Sequence, residues 1–201
     1  MKHWAIGALC GLAMLSAGVA SAQVASVGSA APMFTAKDLA GKSMTLGDFK
    51  GKYVVLEWTN PDCPYVRKHY NSGNMPGTQS RALAKGVVWL SVSTGDTHTA
   101  AELQAWQKTK SAAPTATLAD ADGKIARAYG ARTTPHLYII DPQGLLIYAG
   151  AIDSKASSNP ADIQSATNYV DQALGEAIAG KAVSRATPQA YGCSVKYPSG
   201  A

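Results

Sequence analysis

The chain reads as an α/β protein, a mixed central sheet with helices on both faces, and three observations predict it. Residues 53–58 and 87–92 are nearly continuous apolar runs rich in valine and aromatics, the composition of strands covered on both sides. Helical periodicity alternates with them, most clearly over residues 99–110, where Leu103, Trp106 and Gln107 share a face. Further on, the apolar runs 137–140 and 145–149 flank Asp141-Pro142-Gln143-Gly144, a turn that signals an antiparallel hairpin.

The elements follow in order. Residues 23–31 read as a short flexible entry, and residues 33–36 and 43–46 as short strands around the turn Asp38-Leu39-Ala40-Gly41. After the strand 53–58 comes a proline-containing loop and a helix that begins at Cys63. The run Asn71-Ser72-Gly73-Asn74-Met75-Pro76 interrupts this helix, which resumes over residues 78–85. Beyond the strand 87–92 and the helix 99–110, residues 115–118 read as a short edge strand and residues 125–129 as a short helix. A final alanine-rich helix is expected over residues 163–179, ended by Gly180. No internal repeat or second-domain boundary stands out, so residues 23–201 read as one domain with a C-terminal tail from about residue 181.

Residues 1–22 read as a signal peptide. Lys2 supplies the positive start, residues 5–19 an apolar run, and Ala20-Ser21-Ala22 a cleavage site before Gln23. A lipoprotein signal at Cys10 is rejected because Leu9 stands where a small residue is needed. A retained N-terminal anchor is the alternative to cleavage. After cleavage no stretch approaches the roughly 20 apolar residues of a membrane span, and the expected location is periplasmic or secreted. Cys10 leaves with the leader, so the mature chain keeps Cys63 and Cys193 in a compartment where disulfides persist. A structural bond between them would stabilise the fold by about 4 kcal/mol through chain entropy. The net charge of +5 and pI near 9.1 come from scattered lysines and arginines, a pattern that does not support nucleic-acid binding.

Cys63 is followed by Pro64, which suits the first position of a helix, so the sulfur is expected at the N-cap. Free backbone N–H groups and the positive dipole end stabilise a thiolate there, the reactive form of cysteine. Arg67 and Lys68 would act in the same direction if they fold back, and Asp62 against it. Glu57 is a carboxylate inside an apolar strand, six residues before Cys63. Buried without a partner it would hold a raised pKa and suit general-base work, whereas at the sheet end it would meet water. Cys193 lies in a glycine-flanked tail after Pro188, which predicts mobility.

Four segments together resemble the thioredoxin/redoxin superfamily. They are VGSAAPMFTAKDLAGKSMTLGDFKGK, VVLEWTNPDCPYVRK, YGARTTPHLYIIDPQGLLIYAGAID and the terminal YGCSVKY, in family order over nearly the whole mature chain. The pairing of Cys63-Pro64-Tyr65-Val66 with Gly192-Cys193-Ser194-Val195-Lys196 is similar to the peroxiredoxin-like branch. The resemblance implies a thioredoxin-like fold, Cys63 as nucleophile, and Pro135 in the cis form. It also implies that the backbone of Thr134 lies beside Cys63, ready to pair with an extended substrate strand. Glu57 matches a buried acid that relays protons in thioredoxins. Departures are clear as well. Val66 replaces the second cysteine of a C-x-x-C pair, which rules out shuttling by such a pair. Asn60 replaces a further cysteine common in the branch. Thr59 lies one position further back than the peroxiredoxin threonine, and Arg132 precedes a proline step that peroxiredoxins lack.

The expectation is therefore a thiol oxidoreductase that reduces peroxides or exchanges disulfides through Cys63, with Cys193 as candidate resolving thiol. Its partners would be a peroxide or protein-thiol substrate and an external thiol reductant, with no cofactor. One alternative is a non-enzymatic binding module locked by a Cys63–Cys193 disulfide. Another is a copper carrier that uses Cys63 and His136 with Cys193 or His69, although Arg67 stands where such carriers place a second cysteine. Gly41-Lys42-Ser43 lacks the upstream glycine of a phosphate loop, and Asp120-Ala121-Asp122-Gly123 is too short for a calcium loop. Trp89 and Trp106 sit at core spacings.

Overall fold

Val54 to Trp58 and the valine-rich run beyond Gly86 become the two central strands, and every residue of both strands is buried, as a strand sandwiched between helices must be. A computed structural model describes residues 24–198. The expected leader, residues 1–22 with Cys10, lies outside the described residues. The strands are β1 (Thr35–Asp38), β2 (Ser43–Thr45), β3 (Val54–Trp58), β4 (Val88–Thr94), β5 (Ala116–Asp120), β6 (Thr133–Thr134), β7 (His136–Ile140), β8 (Leu146–Gly150) and β9 (Cys193–Ser194). The helices are α1 (Pro64–Asn71), α2 (Asn74–Leu83), α3 (Ala100–Thr109), α4 (Lys124–Tyr129) and α5 (Tyr169–Ile178).

Seven strands form one mixed sheet in the order β2-β1-β5-β4-β3-β7-β8. The β3–β4 and β4–β5 pairs are parallel, while β1 joins β5 and β7 joins β3 antiparallel. Alternation along the strands splits the core. Val55, Trp89, Leu137 and Ile139 pack with Val66 and Tyr70 of α1, Met75 and Ala82 of α2, and Val170 and Leu174 of α5. On the opposite face Leu56, Trp58, Leu90 and Tyr138 pack with Ile125, Ala126 and Tyr129 of α4 and with Phe34. Helices on both faces of a mixed sheet make this a thioredoxin-like α/β fold. Among the described residues no helix is long and apolar enough to cross a membrane.

Local expectations differ from the structure in four places. Strand β5 is not an edge, because β1 adds to it antiparallel and covers its free side. The interruption after α1 is short: Ser72 caps that helix, Gly73 turns at φ +73°, and α2 starts at Asn74. Pro76 then falls in the first helical turn, where its missing N–H breaks no bond. The last helix begins at Tyr169 rather than 163, because the Asn168 side chain caps it by accepting from the N–H groups of Val170 and Asp171. A short 3-10 turn, Pro160–Ser165, precedes it.

The fourth difference is the tail, which is docked rather than mobile. Ala149 N–H donates to Ala186 O at 2.9 Å and Ala151 N–H to Pro188 O at 3.2 Å, so the tail first runs along the outer edge of β8. Further on, Val195 N–H donates to Arg132 O at 3.0 Å and the Tyr197 hydroxyl to Ala131 O at 2.7 Å. The body is shaped for this strap. A Cβ on Gly150 would stand 2.2 Å from Pro188 O, and one on Gly95 2.5 Å from Lys196 O.

Candidate functional site

The site forms where α1 begins. Cys63 is the N-cap in extended conformation (φ −73°, ψ 121°), with Pro64 opening the helix as its fixed φ favours. The sulfur is thereby held at the positive end of α1, and the residue is only 2% exposed. The Thr134–Pro135 peptide bond is cis. Cys63 Sγ stands 3.0 Å from Thr134 O and 2.7 Å from Cys193 Sγ. Cys193 is there because β9 pairs antiparallel with β6, setting Thr134 opposite Cys193 and Thr133 opposite Ser194. The backbone of Thr134, which the resemblance leaves open for a substrate strand, carries the chain's own tail.

Burial pushes the Cys63 thiol up, but a set of donors outweighs it and its pKa falls below the ordinary 9.0. The foremost donors are the Cys193 thiol and the Val66 backbone N–H in the first turn of α1, with the Cys193 backbone N–H adding to them. Cys193 moves the other way, to about 11, through burial and then through its thiol and charge interactions with Cys63. The two shifts run in opposite directions, so Cys63 gives up its proton before Cys193 does. Arg67 and Lys68 do not fold back. Arg67 donates to Pro61 O at 2.7 Å and to Asp62 at 3.2 Å, while the Lys68 ammonium donates to Lys155 O at 3.0 Å.

Glu57, the penultimate residue of β3, is completely buried, which excludes the water-exposed alternative. It has partners: Oε1 accepts from the Tyr70 hydroxyl at 2.6 Å, and Oε2 from Trp89 Nε1 at 2.7 Å, Gln79 Nε2 at 3.0 Å and the Ser91 hydroxyl at 3.1 Å. Burial raises its pKa above 4.5 and these four donors oppose the rise. None of its hydrogen bonds reaches either cysteine. Trp89 lies in the core, as its spacing suggests, with its indole N–H committed to Glu57.

A second buried network escaped the sequence. Tyr191, two residues before Cys193, donates its hydroxyl to Asp153 Oδ1 and meets His69 Nε2 at 3.1 Å. His69 Nδ1 faces the Asn74 amide at 2.8 Å. Lys68 Nζ is 3.6 Å from Asp153 Oδ2, with both side chains almost fully enclosed. This cluster ties the strap to α1 just ahead of the resolving position. Its only sequence signal was Lys68-His69 on a helix with apolar neighbours. His69 is thus engaged in this network, and among the described residues no group of three or more His, Cys, Asp or Glu side chains is placed to hold a copper ion.

Comparison with known proteins adds the following. The AhpC/TSA family profile matches residues 27–149. No curated protein matches the chain. A hypothetical protein from Sinorhizobium meliloti 1021 is similar at 22% identity and TM-score 0.73, covering 89% of this chain and 98% of that one. An uncharacterized conserved protein from Geobacillus kaustophilus is similar at 22% identity and TM-score 0.74, covering 88% and 94%. The thioredoxin domain of a thiol-disulfide oxidoreductase from Bacteroides vulgatus is similar at 23% identity and TM-score 0.52, covering 70% and 96%. These likenesses establish the fold.

Proposed function

The chain belongs to the AhpC/TSA redoxin family, and from that premise we propose that it is a thiol-dependent peroxidase in which Cys63 attacks and Cys193 resolves. The Cys63 thiolate attacks the outer oxygen of a hydroperoxide. The O–O bond breaks, the departing alkoxide or hydroxide takes up a proton, and Cys63 becomes a sulfenic acid. Loss of the Cys63 charge removes one of the causes that hold the Cys193 pKa high. Cys193 then displaces water from the sulfenic acid and closes the disulfide, which an external dithiol reduces with two electrons. Glu57 stays a candidate positioning group through Tyr70 and α1. The expected leader would export the protein to the periplasm or beyond.

One observation carries the choice of a small oxidant over a protein disulfide: β9 already fills the strand position on Thr134, over a sulfur that is 2% exposed. A peroxide needs only local opening, whereas a disulfide-bearing peptide must displace the strap. The test treats reduced protein with one equivalent of hydrogen peroxide, or with insulin as a protein disulfide. Wild type should lose two thiols to a Cys63–Cys193 bond, Cys193→Ser should hold a dimedone-reactive sulfenic acid, and Cys63→Ser should be inert. Faster consumption of insulin disulfides than of peroxide would reverse the choice. A native bond that resists strong reductant in the folded protein would favour the non-enzymatic scaffold.

A further inference from the structure

On the face of the sheet opposite α1 lies a cavity of about 590 Å³ that neither cysteine borders. That volume is in the range of small-molecule sites, about 300–1,000 Å³. Tyr129 and Tyr138, both buried, give it an aromatic floor, and Gln189 and Ala190 of the strap close one side. His136 and Arg132 bring the only titratable nitrogen groups among its lining residues, and no carboxylate lines it.

The protonation of His136 follows from its neighbours. Its Nδ1 faces two donors, the Tyr138 hydroxyl at 3.1 Å and the Arg132 backbone N–H at 3.4 Å. A backbone N–H only donates, so Nδ1 is the bare nitrogen and Nε2 carries the proton. Burial and then the Arg132 charge hold the ring neutral, with a pKa of about 4. Nε2–H makes no hydrogen bond to a described residue and keeps access to solvent. The Arg132 side chain, exposed among the same lining residues, makes no hydrogen bond or ion pair to a described residue either. Two donors without a protein partner thus belong to residues that line one aromatic-walled space.

We propose that this cavity is a second binding site, separate from the Cys63 centre, for a small carboxylic acid with an apolar body. The carboxylate bridges the Arg132 guanidinium and His136 Nε2–H, and the body lies against Tyr129 and Tyr138. One cation and one neutral donor suit a monoanion, whereas a dianion such as phosphate would leave a charge uncompensated. The site does not depend on the peroxidase reading, and its test requires no turnover.

Calorimetric titration of the whole protein with benzoate, with benzamide as the uncharged isostere, tests it. Benzoate should bind at one site at roughly millimolar affinity or better, and benzamide at least about tenfold more weakly. Arg132→Met, at an exposed position, should keep the fold by circular dichroism and lose about tenfold or more in benzoate affinity. Cys63→Ser should bind benzoate as wild type does, and the His136 Nε2–H proton resonance should shift with saturation. Absence of saturable benzoate binding, equal affinity for benzamide, tighter binding of inorganic phosphate, or an unchanged Arg132→Met would each overturn the proposal. Loss of benzoate binding in Cys63→Ser would overturn its separateness from the redox centre.

Discussion

Gly192→Ala should separate the two sulfurs while leaving the domain folded. Gly192 has φ +141°, where side-chain-bearing residues are rarely found, and its α-carbon passes close over the cis-proline loop. A Cβ built there would stand 2.0 Å from Thr134 O and 2.7 Å from Thr134 C. Reaching the 3.4 Å of ordinary contact needs a shift of about 1.4 Å, the difference between 3.4 and 2.0. Thr134 is backbone pinned by Pro135, so the strap must move. A comparable displacement of Cys193 opens the 2.7 Å sulfur separation toward about 4 Å, whereas a disulfide needs about 2.05 Å. Misplacement on the order of 1 Å costs an oriented reaction about 100-fold. Reduced variant and wild type would be mixed with peroxide, following disulfide closure by thiol loss and sulfenic acid by dimedone labelling. Closure should slow about 100-fold and the sulfenic acid should persist. A variant that closes at the wild-type rate would refute the reasoning, because the strap would then not set the geometry.

Asp153→Ala leaves the enclosed Lys68 side chain without its ion-pair partner and Tyr191 without its acceptor; urea unfolding should show a loss of about 3–5 kcal/mol, and a loss near zero would refute a stabilising role for the pair. Glu57 is held above 4.5 by burial in the folded state, so the folded protein binds more protons than the unfolded chain from about pH 4.5 upward. The associated stability is complete below that pH and is lost as pH rises through the folded-state value. Glu57→Gln should abolish this slope, and superimposable pH–stability curves for variant and wild type would contradict it. Alkylation of Cys63 by iodoacetamide should show a midpoint below pH 9.0, moving upward in Cys193→Ala because the thiol donor is gone; a wild-type midpoint at or above 9.0 would remove the case for a thiolate.

Much of the centre was legible because it is local. Cys63 at a helix start follows from Pro64, a neighbour whose ring sets the helical φ. The buried character of β3 and β4 follows from unbroken apolar composition, whereas for Glu57 the same run left burial and exposure at the sheet end both open, and the packing of Tyr70, Gln79, Trp89 and Ser91 around it decided for burial. The cis form of Pro135 came from resemblance to a family rather than from the residues around it. The final helix illustrates where local pattern misleads: alanine content carried the expectation back to residue 163, while the Asn168 cap placed the start at Tyr169.

The sequence by itself determined the α/β class, the alternation of strand and helix, and a cysteine poised at a helix mouth, because each depends on interactions within a few residues. Only the tertiary structure decided that Cys193, 130 positions away, meets that cysteine, that the tail is a strap pinned by Tyr191 to Asp153, and that β5 is interior. Those contacts are made between segments whose local sequences carry no trace of each other. They exist because the folded sheet brings the segments together and leaves room, at Gly95, Gly150 and Gly192, for one backbone to lie on another.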